Sequence, residues 1–170
     1  MGTPDFVLAL REQIGHAPLW LSGVTAVVAR ESSGSVATSG SSTAAGSEVL
    51  LVKRADSGAW TPVTGIIDPG EEPAIAAVRE VLEEADIIAR AEALVWVHVI
   101  PTITYANGDE SQYLDLVFRC GWVSGDPFPA DGENTEAAWY PIDALPPMSE
   151  AMLGRVRAAL AGNVATRFEH

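Results

Sequence analysis

Cysteine is nearly missing from this chain. Cys120 stands alone, so no internal disulfide can form, and a reducing compartment is the expectation. Positive charge is scarce as well: 10 Lys and Arg side chains face 23 Asp and Glu, a formal net charge of −13. That balance disfavours a nucleic-acid polymer or an anionic membrane as partner. It leaves an anionic small molecule open, because a bound divalent cation inverts the local field. No apolar run approaches the roughly 20 residues of a membrane helix, and Met1–Asp5 has no basic leader pattern. A cytoplasmic protein with no membrane partner is therefore expected. What the chain does have is apolar substance: 48% of its 170 residues, enough for the core of one domain spanning 1–170.

Periodicity places the elements. Residues 4–14 suggest a short helix, with Phe6, Leu8, Leu10 and Ile14 as its apolar positions. Leu19–Ala29 and Glu48–Arg54 read as strands of one β-hairpin. Between them, about 31–47, lies a Ser/Gly/Ala-rich stretch with almost nothing to bury, expected to be a flexible loop. Ala59–Gly65 is extended, Asp68-Pro69-Gly70 turns, and Pro73 suits the first turn of a helix running to about Ala85. Leu94–Thr104 and Tyr113–Val123 read as strands joined through the Asn107-Gly108 turn signal. Ala137–Tyr140 is a short strand and Ser149–Leu160 a last helix. The order predicts an α/β (α+β) fold, a mixed sheet with helices on its faces.

The segment GIIDPGEEPAIAAVREVLEEADI, Gly65 to Ile87, carries the chemistry. At about 100° per residue, Ala74, Val78, Val81, Leu82 and Ala85 form one stripe, expected to face the core. Glu80, Glu83 and Glu84 gather on the other side, with Arg79 at the edge. Converging carboxylates either make a solvated acidic face or hold a hard cation such as Mg²⁺ or Mn²⁺. The preceding turn lets the backbone approach a ligand and offers carbonyl oxygens. Glu71 complements the helix N-terminus.

The spacing is glycine, five residues, Glu, seven residues, then Arg-Glu-apolar-x-Glu-Glu-x-x-apolar: Gly65, Glu71, Arg79, Glu80, Val81, Glu83, Glu84 and Ile87. It resembles the Nudix box of the Nudix hydrolases, with Asp86 where the family usually has glycine. The resemblance implies an α/β/α sandwich and metal-dependent hydrolysis of a phosphoanhydride in a nucleoside diphosphate linked to another group. Candidate substrates are nucleotide sugars, ADP-ribose, dinucleoside polyphosphates and NTPs. By the same resemblance Glu80, Glu83, Glu84 and the Gly65 carbonyl are metal ligands. Arg79 joins the three carboxylates in the catalytic set, and Glu71 with Arg79 supports the loop and helix. An additional base is expected on the later loop, at Glu133 or Glu136, with Asp131 beside them. Family members are often dimers, so a homodimer is expected.

Other residues carry two readings each. Trp60, Tyr105, Tyr113 and Phe128 are core aromatics or base-stacking surfaces. Lys53, Arg54 and Arg119 are phosphate contacts or strand-end charges. His98 and Cys120 read as structural. Pro101 and Tyr105 lie fourteen and eighteen residues past Ile87 and do not choose a substrate subtype. Two alternatives remain: a non-catalytic nucleotide-binding or regulatory module of the same fold, and an isoprenoid diphosphate isomerase that would need Cys120 in its site.

Overall fold

A computed structural model describes residues 3–31, 47–162 and 165–169. The expected flexible stretch at 31–47 therefore falls, but for its ends, outside the described residues. The elements are α1 (Asp5–Ile14), β1 (Leu19–Glu31), β2 (Ser47–Arg54), β3 (Trp60–Thr61), β4 (Val63–Ile66), α2 (Pro73–Ala85), β5 (Ile88–Thr104), β6 (Glu110–Ser124), β7 (Asn134–Pro141), α3 (Glu150–Leu160) and β8 (Arg167–Phe168).

The eight strands form one mixed sheet, ordered β3-β2-β1-β6-β5-β8, with β4 against β1 and β7 against β2. β1 reads as a nearly unbroken apolar run because it is central and covered on both faces. Parallel pairing with β6 runs from Leu19↔Ser111 to Ala29↔Gly121. Its other edge meets β4 through Val24↔Gly65, then β2 through Ala29↔Val49, which establishes the expected hairpin. Alternate residues divide between two cores. Val24, Ala26, Val28, Leu50, Val52 and Phe118 pack under α2, while Val27, Val49, Leu51 and Val117 pack under α3. The result is a sheet between helices, as expected.

Several boundaries differ from expectation. β5 begins at Ile88, directly after α2, and bends through four register shifts against β6. Those bulges break the two-residue period, which hides its first six residues from a pattern search. Ala59–Gly65 divides into β3 and β4, which pair with different strands. Ser149 is the N-cap of α3, accepting from the Met152 N–H at 3.3 Å. The two-residue β8 was not foreseen. On the α3 side a charged group is buried: Asp115 accepts from Thr25 and His98 and pairs with Arg155, each at 3.0 Å. His98 is structural there, and Cys120 is buried, as expected.

Candidate active site

β4 and α2 carry the site. Pro73 opens the helix at its first position, where no N–H is required of it. Asp86 closes it at φ 54°, ψ 33°, its N–H donating to the Leu82 carbonyl at 3.0 Å. Asp tolerates this left-handed geometry, so the departure from the usual glycine leaves the cap intact.

The helix is set deeper than its apolar stripe suggested. Leu82 is 48% exposed, while Ala76 and Ala77 are buried with Val81 and Ala85. That rotation carries the acidic stripe partly inward: Glu80 is 8% exposed and Glu84 only 2%. A solvated face is thereby corrected for these two, and Glu83 alone stays half-buried. Alanine at 76 and 77 permits this, since small side chains let the helix sit close to the sheet. Gly65 does the same from below. A Cβ built there would overlap the Glu80 carboxyl, so only glycine admits that side chain.

Arg79 organises the cluster. Its Nε and Nη2 donate to the two oxygens of Glu71, both at 2.8 Å, a bidentate pair. Its Nη1 reaches Glu80 at 2.8 Å and Glu83 at 3.0 Å, and Nη2 also reaches the Ile66 carbonyl at 3.2 Å. Glu71 in turn accepts from the Asp68 N–H at 3.2 Å, so one guanidinium ties loop, strand β4 and helix together. The pair with Arg79 holds the Glu71 carboxyl below its ordinary range. Burial does the opposite to its neighbours: Glu80 is pushed up to about 7, against the pull of Arg79. Glu84, deeper still and facing Glu80 and Glu133, is pushed up to about 8.

The loop between β6 and β7 closes the other side. Phe128 and Ala130 donate backbone N–H groups to the Ala85 and Glu84 carbonyls, at 3.0 and 3.4 Å. Asn134 Nδ2 donates to Glu84 Oε2 at 2.9 Å. Glu133 meets Arg54 at 3.3 Å and adds its charge to those acting on Glu80 and Glu84. Asp131 accepts the Glu133 N–H at 3.0 Å and shapes the loop. Glu136 is turned away, exposed and paired with Lys53 at 2.7 Å. Of the suggested cations, Arg54 lies at the cluster, whereas Arg119 pairs with Glu92 on β5 at 3.6 Å.

The aromatics part company. Trp60 packs edge-on against Tyr140 beside the α3 core. Tyr105 and Tyr113 share a 2.8 Å hydrogen bond between their hydroxyls, and the Tyr105 hydroxyl lies in the field of Arg54. Phe128 is exposed on the loop. A cavity of about 400 Å³ opens beside the loop at Ile67–Glu71, walled by Phe6, Trp20 and Leu116. Asn134 and the Ile66 carbonyl were missed by the sequence. Neither position is marked by composition, and only the packing of β7 against α2 reveals the first.

Among the described residues no three His, Cys, Asp or Glu side chains converge as a ready metal cage. Arg79 stands between Glu80 and Glu83 instead. The donor set nonetheless suits a hard cation: carboxylate oxygens and a backbone carbonyl, with two buried acidic side chains, Glu80 beside Arg79 and Glu84 in the field of Arg54, on which burial outweighs the pull of either guanidinium.

A family model described as the NUDIX domain matches residues 36–159. The NAD-capped RNA hydrolase NudC of Pseudomonas aeruginosa is 33% identical over 106 residues, 61% of this chain and 35% of the relative. A MutT-like protein of Streptomyces ambofaciens is 31% identical over 115 residues, 67% of this chain and 69% of the relative. The chain thus spans about a third of the length of the NudC relative. Among solved structures, an ADP-ribose pyrophosphatase from Streptococcus suis superposes with a TM-score of 0.62 at 18% identity, covering 88% of this chain and 98% of that one. Matched over most of its length by the family model, and built around the helix and glycine just described, the chain belongs to the Nudix family.

Proposed function

We propose that this protein is a Nudix-type pyrophosphohydrolase that uses Mg²⁺ or Mn²⁺ to split a phosphoanhydride bond in a nucleoside diphosphate linked to another group. The observation that carries this reading is the pair of buried acidic side chains on one face of α2, Glu80 seated against Gly65 and Arg79 and Glu84 held by Asn134. Burying two carboxylates side by side is costly unless a positive charge completes the site. A solvated acidic helix would not bury them.

Glu80, Glu83, Glu84 and the Gly65 carbonyl are the groups that would hold the cation. When bound, the cation neutralises pyrophosphate charge and lowers the pKa of an attacking water. Arg79 keeps Glu80 and Glu83 in register, and its pairing with Glu71 holds the Asp68–Glu71 turn against the helix. In the reaction a water oxygen bonds to phosphorus as the bridging P–O bond breaks. The bridging oxygen leaves with the electron pair, and a carboxylate takes the water proton. Glu133 is the proposed acceptor, because it reaches the cluster from a separate loop and Arg54 holds it in place. Glu136, directed to solvent, is not.

Substrate class rests on relatives. The Pseudomonas relative is named for NAD-capped RNA, and NAD joins two nucleosides through a diphosphate. A diphosphate between two organic groups is accordingly the first class to try, with a free small molecule preferred over a polymer because of the net charge of −13. A panel of NAD, ADP-ribose, nucleotide sugars, dinucleoside polyphosphates and NTPs, with Mg²⁺ or Mn²⁺ and product identification, tests the reading. Release of a nucleoside monophosphate supports it. No metal-dependent turnover on any member refutes it.

A further inference from the structure

We infer that Asn134 is a positioning residue for this site: its amide holds Glu84 Oε2 and leaves the other oxygen, Oε1, to face the reaction. The inference rests on the hydrolase reading above and concerns a residue outside the box.

The contact is deliberate in its construction. Asn134 is 5% exposed and Glu84 2%, and they lie 50 residues apart in the chain, joined at 2.9 Å. A hydrogen bond to a carboxylate in a water-poor site is among the stronger kinds. The amide nitrogen faces the carboxylate because that end supplies donors, and the carboxylate only accepts when ionised.

Strand β7 would not present this side chain without a defect in its pairing. Ala137 and Trp139 pack on the α2 side of the sheet, and Tyr140 packs on the α3 side. Strict alternation would send Glu136 and Asn134 to the α3 side together. Glu136 does turn out to solvent and pairs with Lys53. Between Glu136 and Asn134 the register slips: Lys53 opposes Glu136 while Arg54, the next residue, opposes Asn134. Thr135 is the extra residue of a β-bulge, exposed, its hydroxyl donating to the Lys53 carbonyl at 3.3 Å. The bulge turns Asn134 from the α3 side to the α2 side, where Glu84 lies. Bulges beside active sites commonly re-aim one side chain in this way.

A second observation points the same way. Asn134 Oδ1 is buried without a hydrogen-bond partner. A buried amide kept only for packing is readily replaced by an apolar residue of similar size. Here one end of the amide is left unsatisfied while the other is spent on Glu84.

Asn134→Asp keeps the shape and replaces the donor by an acceptor; Asn134→Ala removes both. Three readouts are compared with wild type: kcat and KM on the best panel substrate at saturating Mn²⁺, Mn²⁺ affinity by electron paramagnetic resonance, and melting temperature in EDTA. Both variants should lose at least tenfold in kcat with KM within threefold. Mn²⁺ affinity should move in opposite directions, tighter for Asn134→Asp, which adds a carboxylate, and at least threefold weaker for Asn134→Ala. If Asn134→Asp fails to fold, Asn134→Ala carries the test alone. Wild-type kcat and Mn²⁺ affinity in the folded variants would overturn the inference, as would a loss of kcat that tracks the unfolded fraction and disappears on cooling. If the wild type turns over nothing on the panel, the hydrolase reading fails by itself. Mn²⁺ affinity then decides the role of Asn134, and equal affinities would end it.

Discussion

Glu84→Gln should make the metal-free protein more stable at alkaline pH while removing its proposed activity. The folded protein holds the Glu84 carboxyl near 8 rather than at 4.5, chiefly because burial disfavours the charged form. Below pH 4.5 the group is protonated in both folded and unfolded chains, and folding carries no charge penalty. As pH rises toward 8 the unfolded chain ionises freely and the folded one resists, so stability falls across that window. One pH unit between the two states is worth about 1.4 kcal/mol. The full difference would approach 5 kcal/mol, and water entering a loosened site reduces it to roughly 2–4. Gln keeps the shape and the acceptor for Asn134 without the charge. In a domain of this size each kcal/mol moves the melting temperature by about 2–4 °C. Thermal unfolding in EDTA at pH 5.5, 7 and 8.5 provides the assay. The variant should exceed wild type by only about 2–4 °C at pH 5.5, about one unit above the unfolded value, and by on the order of 5–10 °C at pH 8.5. Excess Mg²⁺ should raise wild type at pH 8.5 far more than the variant. A variant that melts below wild type at pH 8.5 without metal would refute the reasoning.

Gly65→Ala should cost at least tenfold in activity and lower the melting temperature, because its methyl group meets the Glu80 carboxyl; wild-type activity would show that Glu80 moves aside freely. Arg79→Lys should lose most activity despite keeping the charge, since a point ammonium cannot bind both Glu71 oxygens while reaching Glu80; kinetics and thermal melting both read it. Asp86→Gly should raise stability by about 0.5–1 kcal/mol in denaturant unfolding, because φ 54° suits glycine better than Asp. Glu133→Gln should lower kcat by 10²-fold or more with Mn²⁺ affinity within about threefold, whereas Glu136→Gln should leave both unchanged.

How far the sequence could be read depended on whether a feature was local. The helix from Pro73 to Ala85 declares itself through its proline, its apolar spacing and its acidic pairs, and the box residues follow at fixed offsets. The depth at which that helix sits is not local. It depends on Ala76 and Ala77 meeting the sheet, and so helical periodicity alone puts Leu82 on the core stripe and Glu84 opposite it, the reverse of what packing produces. The start of β5, from Ile88 to Ala93, is hidden for a related reason, since its bulges scramble the alternation that marks a strand. Asn134 reaches Glu84 only through a slipped register between β2 and β7, a tertiary event with no trace in composition. Glu133 and Glu136 are alike in sequence, but Glu133 sits on the loop before β7 and meets Arg54, whereas Glu136 stands in the strand and pairs with Lys53.

On the function proposed above, the buried carboxylates of α2 hold a divalent cation that drives pyrophosphate cleavage. The most direct test is turnover of a diphosphate-linked dinucleotide such as NAD, followed by product identification, with wild type and Glu84→Gln each in EDTA, Mg²⁺ and Mn²⁺. Wild type should release nucleoside monophosphate with Mg²⁺ or Mn²⁺ and none in EDTA, and Glu84→Gln should lose at least a hundredfold. Equal turnover with and without the metal, or by Glu84→Gln and wild type, would contradict the proposed function.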